Sequence, residues 1–259
     1  MRRIGILSVV ALTIGLSSVG ARAAEGDPQE RVQALEKQVA DHKASRETDA
    51  LAKDLGEIEK AYTEVADAKL KTRVASLAGI ILSGTKEDTL ERAAIRALGK
   101  MADPETWKYL APYVRQPDPK VAPPLLGDAL EAAGKMKAPS AVDAMITIVE
   151  KAKTFATAVA SMRALSSFGE VKNVRAKILA AIVATVRKDQ PGVGTRPEDG
   201  QPTMRVRTGD EAQSRWQALS GPLVEVCNKL TGQNYGTPQD WFGVVDRYKG
   251  RLEKEMFPQ

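Results

Sequence analysis

The chain has 259 residues, 43% of them hydrophobic, which is enough for one substantial core. Its formal net charge is +5, but the first 23 residues hold three arginines and no acidic residue. Without them, 35 basic and 33 acidic residues leave a net charge of +2. A near-neutral chain is a poor candidate for nucleic-acid binding, which needs clustered basic residues to neutralise phosphates. Abundant alanine and an aromatic content of only 5% favour closely packed helices over a β-sandwich.

Residues 1–23 have the pattern of a signal peptide. Two arginines precede an uncharged, mostly apolar run at 4–19, and Ala21-Arg22-Ala23 then offers the small residues that a signal peptidase recognises. We expect cleavage after Ala23, export to the periplasm or the extracellular space, and no stable membrane span in the mature chain. The alternative is a retained anchor, although the run at 4–19 is shorter than the roughly 20 residues that span a bilayer.

Residues 24–49 are predicted to form a short linker and an exposed N-terminal helix. Asp27 can cap this helix, and Pro28 suits its first turn. The apolar stripe is thin and lies on a strongly charged helix, which we expect to end near residue 46; its members are Val32, Leu35 and Val39.

A repeat dominates the middle of the chain. Gly99, Gly134 and Gly169 are 35 residues apart, and each closes an alanine-rich amphipathic segment. A fixed period of this size is typical of stacked helix pairs. The first helices are predicted at about 86–101, 120–136 and 154–169, and the second helices at about 103–116, 139–152 and 173–188. A degenerate pair with stripes from Leu51 to Val65 and from Leu70 to Ile81 precedes them.

Apolar residues recur at both the helical spacing and the 35-residue spacing, which predicts columns of core residues. The columns are Leu90, Leu125 and Ala160; Ala94, Ala129 and Ala164; Ile95, Leu130 and Leu165; and Val114, Val149 and Ala184. In the turns, Asp103 and Asn173 are suitable N-caps. The three glycines lie where the backbone must either leave helical geometry or pack closely.

The segment RAAIRALGKMADP at 92–104 resembles a bacterial HEAT-like repeat, with its arginine-alanine helix, Ala-Leu-Gly step and Asp-Pro turn. QPDPKV at 116–121 resembles the turn between such repeats. The second repeat has Ala138-Pro139 in place of Asp-Pro, and the third keeps only its glycine and the columns. Over residues 50–188, the resemblance implies an all-α fold: an α-solenoid of stacked antiparallel helix pairs with a period of 35, in which the second helices line the concave face.

Two segments follow the array. Residues 189–209 contain three prolines and four glycines and are expected to form a long loop that is either mobile or functional. Residues 210–259 are expected to form a C-terminal helical cap, and they contain six of the chain's 12 aromatic residues. These aromatics either close the open end of the stack or, through residues such as Trp241, form a docking patch for a protein or a glycan.

The sequence predicts no catalytic residues, no metal site and no cofactor. His42 is the only histidine, and on its charged helix we expect it to be solvated. Cys227, the only cysteine, lies in an apolar stripe and is expected to be buried rather than reactive. Zinc therefore lacks ligands, and calcium stays open only at acidic residues near the loop, which lack EF-hand spacing; they are Glu198, Asp199 and Asp210.

The leading hypothesis is an exported, non-enzymatic scaffold that binds another protein in the periplasm or cell envelope. The polar positions of the second helices are the candidate contacts: Lys108, Tyr109, Arg115, Asp143, Glu150 and Arg175, with Trp241 from the C-terminal part. The alternatives are an accessory or catalytic component that acts through the 189–209 loop, a glycan-binding module that uses the C-terminal aromatics, and a structural spacer. The oligomeric state stays open.

Overall fold

The computed structural model describes residues 27–115, 123–191 and 209–257, which form helices and turns without a strand. The expected signal peptide at 1–23 and residues 192–208 of the expected loop lie outside the described residues. The helices are α1 Pro28–Ser45, α2 Thr48–Glu64, α3 Ala68–Gly84, α4 Asp88–Met101, α5 Trp107–Arg115, α6 Pro123–Met136, α7 Val142–Lys151, α8 Phe155–Leu165, α9 Lys172–Arg187, α10 Gly209–Thr231, α11 Pro238–Arg247 and α12 Leu252–Met256. The expectation of an all-helical chain is confirmed for the described residues.

The helices pack in two rows. In the first row, α2, α4, α6, α8 and α10 lie side by side in that order. In the second row, α1, α3, α5, α7, α9 and α11 do the same, and α12 packs on α9. Apolar side chains between the rows form one continuous core.

The predicted helices of the middle region match the observed ones to within a few residues, but the second helices begin differently. Short 3₁₀ turns at Pro104–Thr106 and Pro139–Ala141 precede α5 and α7. The Asp103 carboxylate accepts a hydrogen bond from the Glu105 backbone N–H, 2.9 Å away, so it caps the 3₁₀ turn. The expected Asn173 cap is wrong: α9 starts at Lys172, and Asn173 lies inside it.

The three spaced glycines are close-approach positions. Gly99 and Gly134 lie within α4 and α6, and the left-handed residues that end these helices are Ala102, with φ 53°, and Lys137, with φ 51°. A Cβ atom added at Gly99 would lie 2.9 Å from the Cβ atom of Ala132 on the next first-row helix. The absent side chain therefore lets neighbouring helices come together.

The same contact recurs at the other two glycines. A Cβ atom at Gly134 would lie 2.9 Å from the backbone oxygen of Ala164, and one at Gly169 would lie 2.8 Å from that of Leu230. Successive first-row helices from α4 to α10 are thus joined through backbone contacts that no larger residue allows.

Most of the predicted columns are buried, but two positions of the third repeat differ. Ile95, Leu130 and Leu165 are completely buried. Ala160 is only half-buried, and Ala184 is exposed, because Ile182, Val183 and Val186 take the core-facing positions of α9.

The expectation of an exposed N-terminal helix is wrong in one respect. The outer face of α1 is exposed, but its apolar stripe packs against α2 and α3 and is buried; the stripe consists of Val32, Leu35 and Val39. A stripe of three residues is enough because the helix lies directly against the first two helices of the array.

Buried charges tie the C-terminal helices to the array. Arg215 of α10 and Asp189 form an ion pair at 2.8 Å, and each side chain is 3% exposed. Arg215 also donates a hydrogen bond to the backbone oxygen of Val149 in α7. Asp189, which we expected at the start of the loop, is therefore a core residue. Removing either charge of the pair would leave the other charge buried without this ion-pair partner.

The close contact at Gly134 predicts opposite effects for two glycine-to-alanine changes in α6. Gly134→Ala forces a Cβ atom against the α8 backbone, so we expect it to destabilise the fold by about 1–3 kcal/mol. Gly127→Ala is the matched control: nothing lies within 4 Å of its Cβ position. It should stabilise the protein by about 0.5–1 kcal/mol through helix propensity. Chemical denaturation measures both, and equal effects of the two changes would contradict the close-contact interpretation.

Candidate partner-binding face

The second row carries most of the candidate contacts. Lys108 and Arg115 of α5 and Asp143 of α7 are exposed, while Tyr109 and Glu150 are half-buried. These residues share the outer side of α5 and α7, which pack against each other. The expected set thus divides into five accessible residues and two, Arg175 and Trp241, that the structure buries.

Tyr109 has a packing role. Its ring lies against Gly79 of α3, so closely that a Cβ atom on Gly79 would come within 2.1 Å of ring atom Cδ2. The Lys108 ammonium lies 5.1 Å from the centre of the same ring. Tyr109 therefore joins α5 to α3. The exposed edge of its ring and the Lys108 ammonium lie side by side on the surface, where they make a cation–π contact.

Asp143 joins α7 to α9 through an ion pair with Lys177 at 2.5 Å. Both side chains are more than half exposed, so the pair adds little to stability. It does neutralise much of the negative charge that Asp143 would otherwise present on this face.

Arg175 is not available to a partner. It is 8% exposed, and its Nε atom donates to the Glu253 carboxylate at 2.7 Å. Its Nη2 atom donates to the backbone oxygen of Phe257 at 3.0 Å, and its guanidinium lies over the Phe257 ring. Arg175 anchors the C-terminal residues to α9, and sequence reasoning missed this because those partners lie about 80 residues further along the chain.

Trp241 is likewise inside the protein. It is completely buried, and its ring makes an edge-to-face contact with Tyr235 at 4.9 Å between ring centres. A docking patch that uses Trp241 is therefore wrong for this conformation, whereas packing at the end of the helix rows agrees with its position.

Replacing Trp241 tests this assignment. Trp241→Ala removes a completely buried ring, so we expect a loss of about 3–5 kcal/mol in the free energy of unfolding. Trp216→Ala, at a half-buried ring 6.1 Å from that of Phe242, should cost less. Thermal and chemical denaturation measure both variants. A Trp241→Ala protein of unchanged stability would contradict the core assignment.

The charges of the two rows differ. The six helices of the second row, α1, α3, α5, α7, α9 and α11, contain 14 basic and seven acidic residues, and α3, α5 and α9 contain no acidic residue at all. The first-row helices contain nine basic and 12 acidic residues. The net charge of the chain does not reveal this asymmetry, because it sums the two rows and the segments between the helices.

First-row charges pair across neighbouring helices. Lys100 of α4 meets Glu59 of α2 at 2.8 Å, Arg92 of α4 meets Asp128 of α6 at 2.9 Å, and Arg163 of α8 meets Glu225 of α10 at 3.4 Å. These surface pairs contribute little stability individually, but they neutralise several of the first-row charges locally.

A groove of about 380 Å³ lies along the contact between α1 and α3, at the N-terminal end of the second row. Its floor is apolar, with Val39, Leu77 and Ile80, and the Arg73–Glu36 ion pair at 2.9 Å borders it. The groove adds an apolar recess beside the cationic residues of α3.

His42 is engaged within the fold, so the expectation of a solvated side chain is wrong. Its Nδ1 atom lies 2.8 Å from the carboxylate of Asp54, which is completely buried and also accepts a hydrogen bond from Gln38. The hydrogen bond to Asp54 raises the pKa of His42 above its usual value. The pair joins α1 to α2.

The raised pKa of His42 predicts a pH-dependent contribution to stability. This contribution is fully present below the unfolded pKa of about 6.5 and is lost as the pH rises through the higher folded value. We expect the wild type to lose stability relative to His42→Gln between about pH 6 and about pH 9. Urea denaturation across this range measures the difference, and a constant difference would contradict the linkage.

Metal and thiol chemistry find little support in the described part of the chain. No group of three or more potential metal-binding side chains occurs there, and Glu198 and Asp199 lie outside it. Cys227 is completely buried, and burial raises the pKa of its thiol well above the usual range, so the thiolate is disfavoured. Among the described residues, no helix has the length and apolar character needed to cross a bilayer.

Comparison with protein-family models and with characterised proteins found no match to this chain.

Proposed function

We propose that this protein is an exported, non-enzymatic α-solenoid of HEAT-like repeats that binds another protein in the periplasm or cell envelope. The observation that carries the proposal is the spacing of contacts along the first row. Arg92 and Asp128 are 36 residues apart, and Lys137 and Glu170 are 33 apart. Such spacings agree with a repeat of 35 that stacks one helix pair on the next.

The ends of the rows also support a solenoid. A repeat array needs terminal units with a polar outer face, because the last apolar surface would otherwise meet water. At one end, α1 covers the array with a buried stripe and a charged outer side. At the other end, α10 and α11 pack on α8 and α9 and bury Leu219, Leu223 and Trp241.

A binding role fits the side-chain chemistry better than catalysis. The only imidazole of the chain is held by Asp54, and the only thiol is buried with a raised pKa. The polar residues that are accessible on the second row are spread over several helices, which suits an extended partner contact rather than a reaction centre. Export rests on the signal-like N-terminal sequence.

Site-directed photo-cross-linking in cells tests the proposal. A photoreactive residue at Lys108, on the second row, should capture one dominant protein in the cell-envelope fraction. The same residue at Lys53, an exposed position of α2 on the first row, is the matched control and should not capture it. Mass spectrometry identifies the captured molecule. No captured protein at Lys108, or the same background at both positions, would overturn the scaffold proposal.

A further inference from the structure

We propose that the second row binds an acidic polypeptide segment of the partner through a basic face. This inference rests on the proposed function and specifies the partner's chemistry. The basic face is defined by exposed cationic side chains on or directly after α3, α5, α7 and α9: Lys69, Lys108, Arg115, Lys151, Lys172 and Lys188.

Contacts between helices show that the residues of the face form a continuous surface. Thr72, near the start of α3, donates a hydrogen bond to Asp103, just before α5, at 2.8 Å. Lys177 and Asp143 likewise join the first halves of α9 and α7. Because equivalent ends lie side by side, cations near the helix starts follow one edge of the face, and cations near the helix ends follow the other.

None of the six cations of the basic face has an ion-pair partner within 27–115, 123–191 or 209–257, in contrast to the paired charges of the first row. Ion pairs among these residues therefore do not neutralise the six charges. A surface of this kind attracts a partner that carries clustered carboxylates and orients it during encounter.

Two of these lysines occupy positions that do not favour helix formation. Lys69 lies in the first turn of α3, which the Asp67 carboxylate caps, and Lys172 is the first residue of α9, which has no side-chain cap. Positive charge near a helix N-terminus opposes the helix macrodipole, whereas Arg115 and Lys151 in last turns complement it. Helix stability therefore does not explain Lys172, whose position agrees with a role in binding an anionic partner. At Lys69, the Asp67 carboxylate partly offsets the unfavourable charge.

The composition of the face favours an acidic polypeptide over a nucleic acid or a membrane. Asp143, which pairs with Lys177, and Glu150 lie in its middle and interrupt the row of cations that a continuous run of phosphates would need. Its outward positions include small or polar residues, such as Thr72, Ser76 and Ala180, rather than the bulky apolar side chains that enter a lipid interface. A polypeptide can place carboxylates opposite the cations and neutral residues opposite the two acidic positions.

Binding of a short poly-glutamate peptide to the full chain tests the inference, with fluorescence anisotropy as the readout. We expect saturable binding that is lost at about 1 M ionic strength, where the Debye length is about 3 Å. The variant Lys69→Glu/Lys172→Glu should weaken binding at least about tenfold, because like charges then face the peptide. It should also melt at the same or a higher temperature, since both glutamates lie in first turns.

The matched control is Lys53→Glu/Lys135→Glu, which reverses the same number of charges on first-row helices. It should keep the affinity of the wild type within about twofold, since the reversed charges lie off the face. Equal weakening by both variants would mean that only net charge matters, and this would overturn the basic face as a site.

The competing partner class is tested with vesicles that contain phosphatidylglycerol and phosphatidylcholine in equal proportion. Binding to vesicles without binding to poly-glutamate would overturn the inference in favour of a membrane surface. A captured protein at Lys108 without poly-glutamate binding would also overturn it, while leaving the scaffold proposal intact. Poly-glutamate binding without any captured protein would instead overturn the scaffold proposal.

Discussion

Close backbone contact between successive first-row helices is the constraint on which the rest of the structure depends. At Gly99, Gly134 and Gly169 a single added carbon would meet the next helix at 2.8–2.9 Å. Helices at this separation bury the alanine and leucine columns between them, and small residues such as Ala132 and Ala164 complete the contact. The three glycines that are 35 residues apart in the sequence are therefore the positions at which one first-row helix comes close to the next.

The second row is held by side chains instead. Tyr109 fills the space above Gly79, Lys177 pairs with Asp143, and Arg187 pairs with Asp246 at 2.8 Å. Contacts between side chains tolerate more change than contacts between backbones, because a flexible side chain can move. The first-row contacts thus tolerate few substitutions, whereas positions of the second row can vary without loss of helix packing.

The helices were predictable because their signals are local. Stripe spacing and prolines place the helices of the array to within a few residues, and Asp103 is recognisable as a cap. The sequence allowed two roles for the three glycines: ending a helix, or allowing a neighbouring helix to pack closely. It does not show which of the two applies. Ala102 and Lys137 adopt the left-handed conformation that a glycine usually takes, which has no local signal.

The burial of individual polar and aromatic residues was less predictable because it depends on distant partners. Arg175 is buried by Glu253 and Phe257, and His42 is held by Asp54 on another helix. On a helical wheel these side chains look like surface residues. Their partners become neighbours only when the rows assemble, so spacing alone assigned them to the solvent or to a partner.

The outer faces of the two rows therefore differ in how their charged side chains are paired. Several first-row charges pair with opposite charges on neighbouring helices, as Lys100 does with Glu59. On the second row, α3 and α9 have lysines in their first turns, although the Asp67 carboxylate caps α3 two residues before Lys69. A stable helix favours the opposite arrangement. Accessible lysines at these positions do not stabilise their own helices, and this supports the binding surface that we propose on the second row.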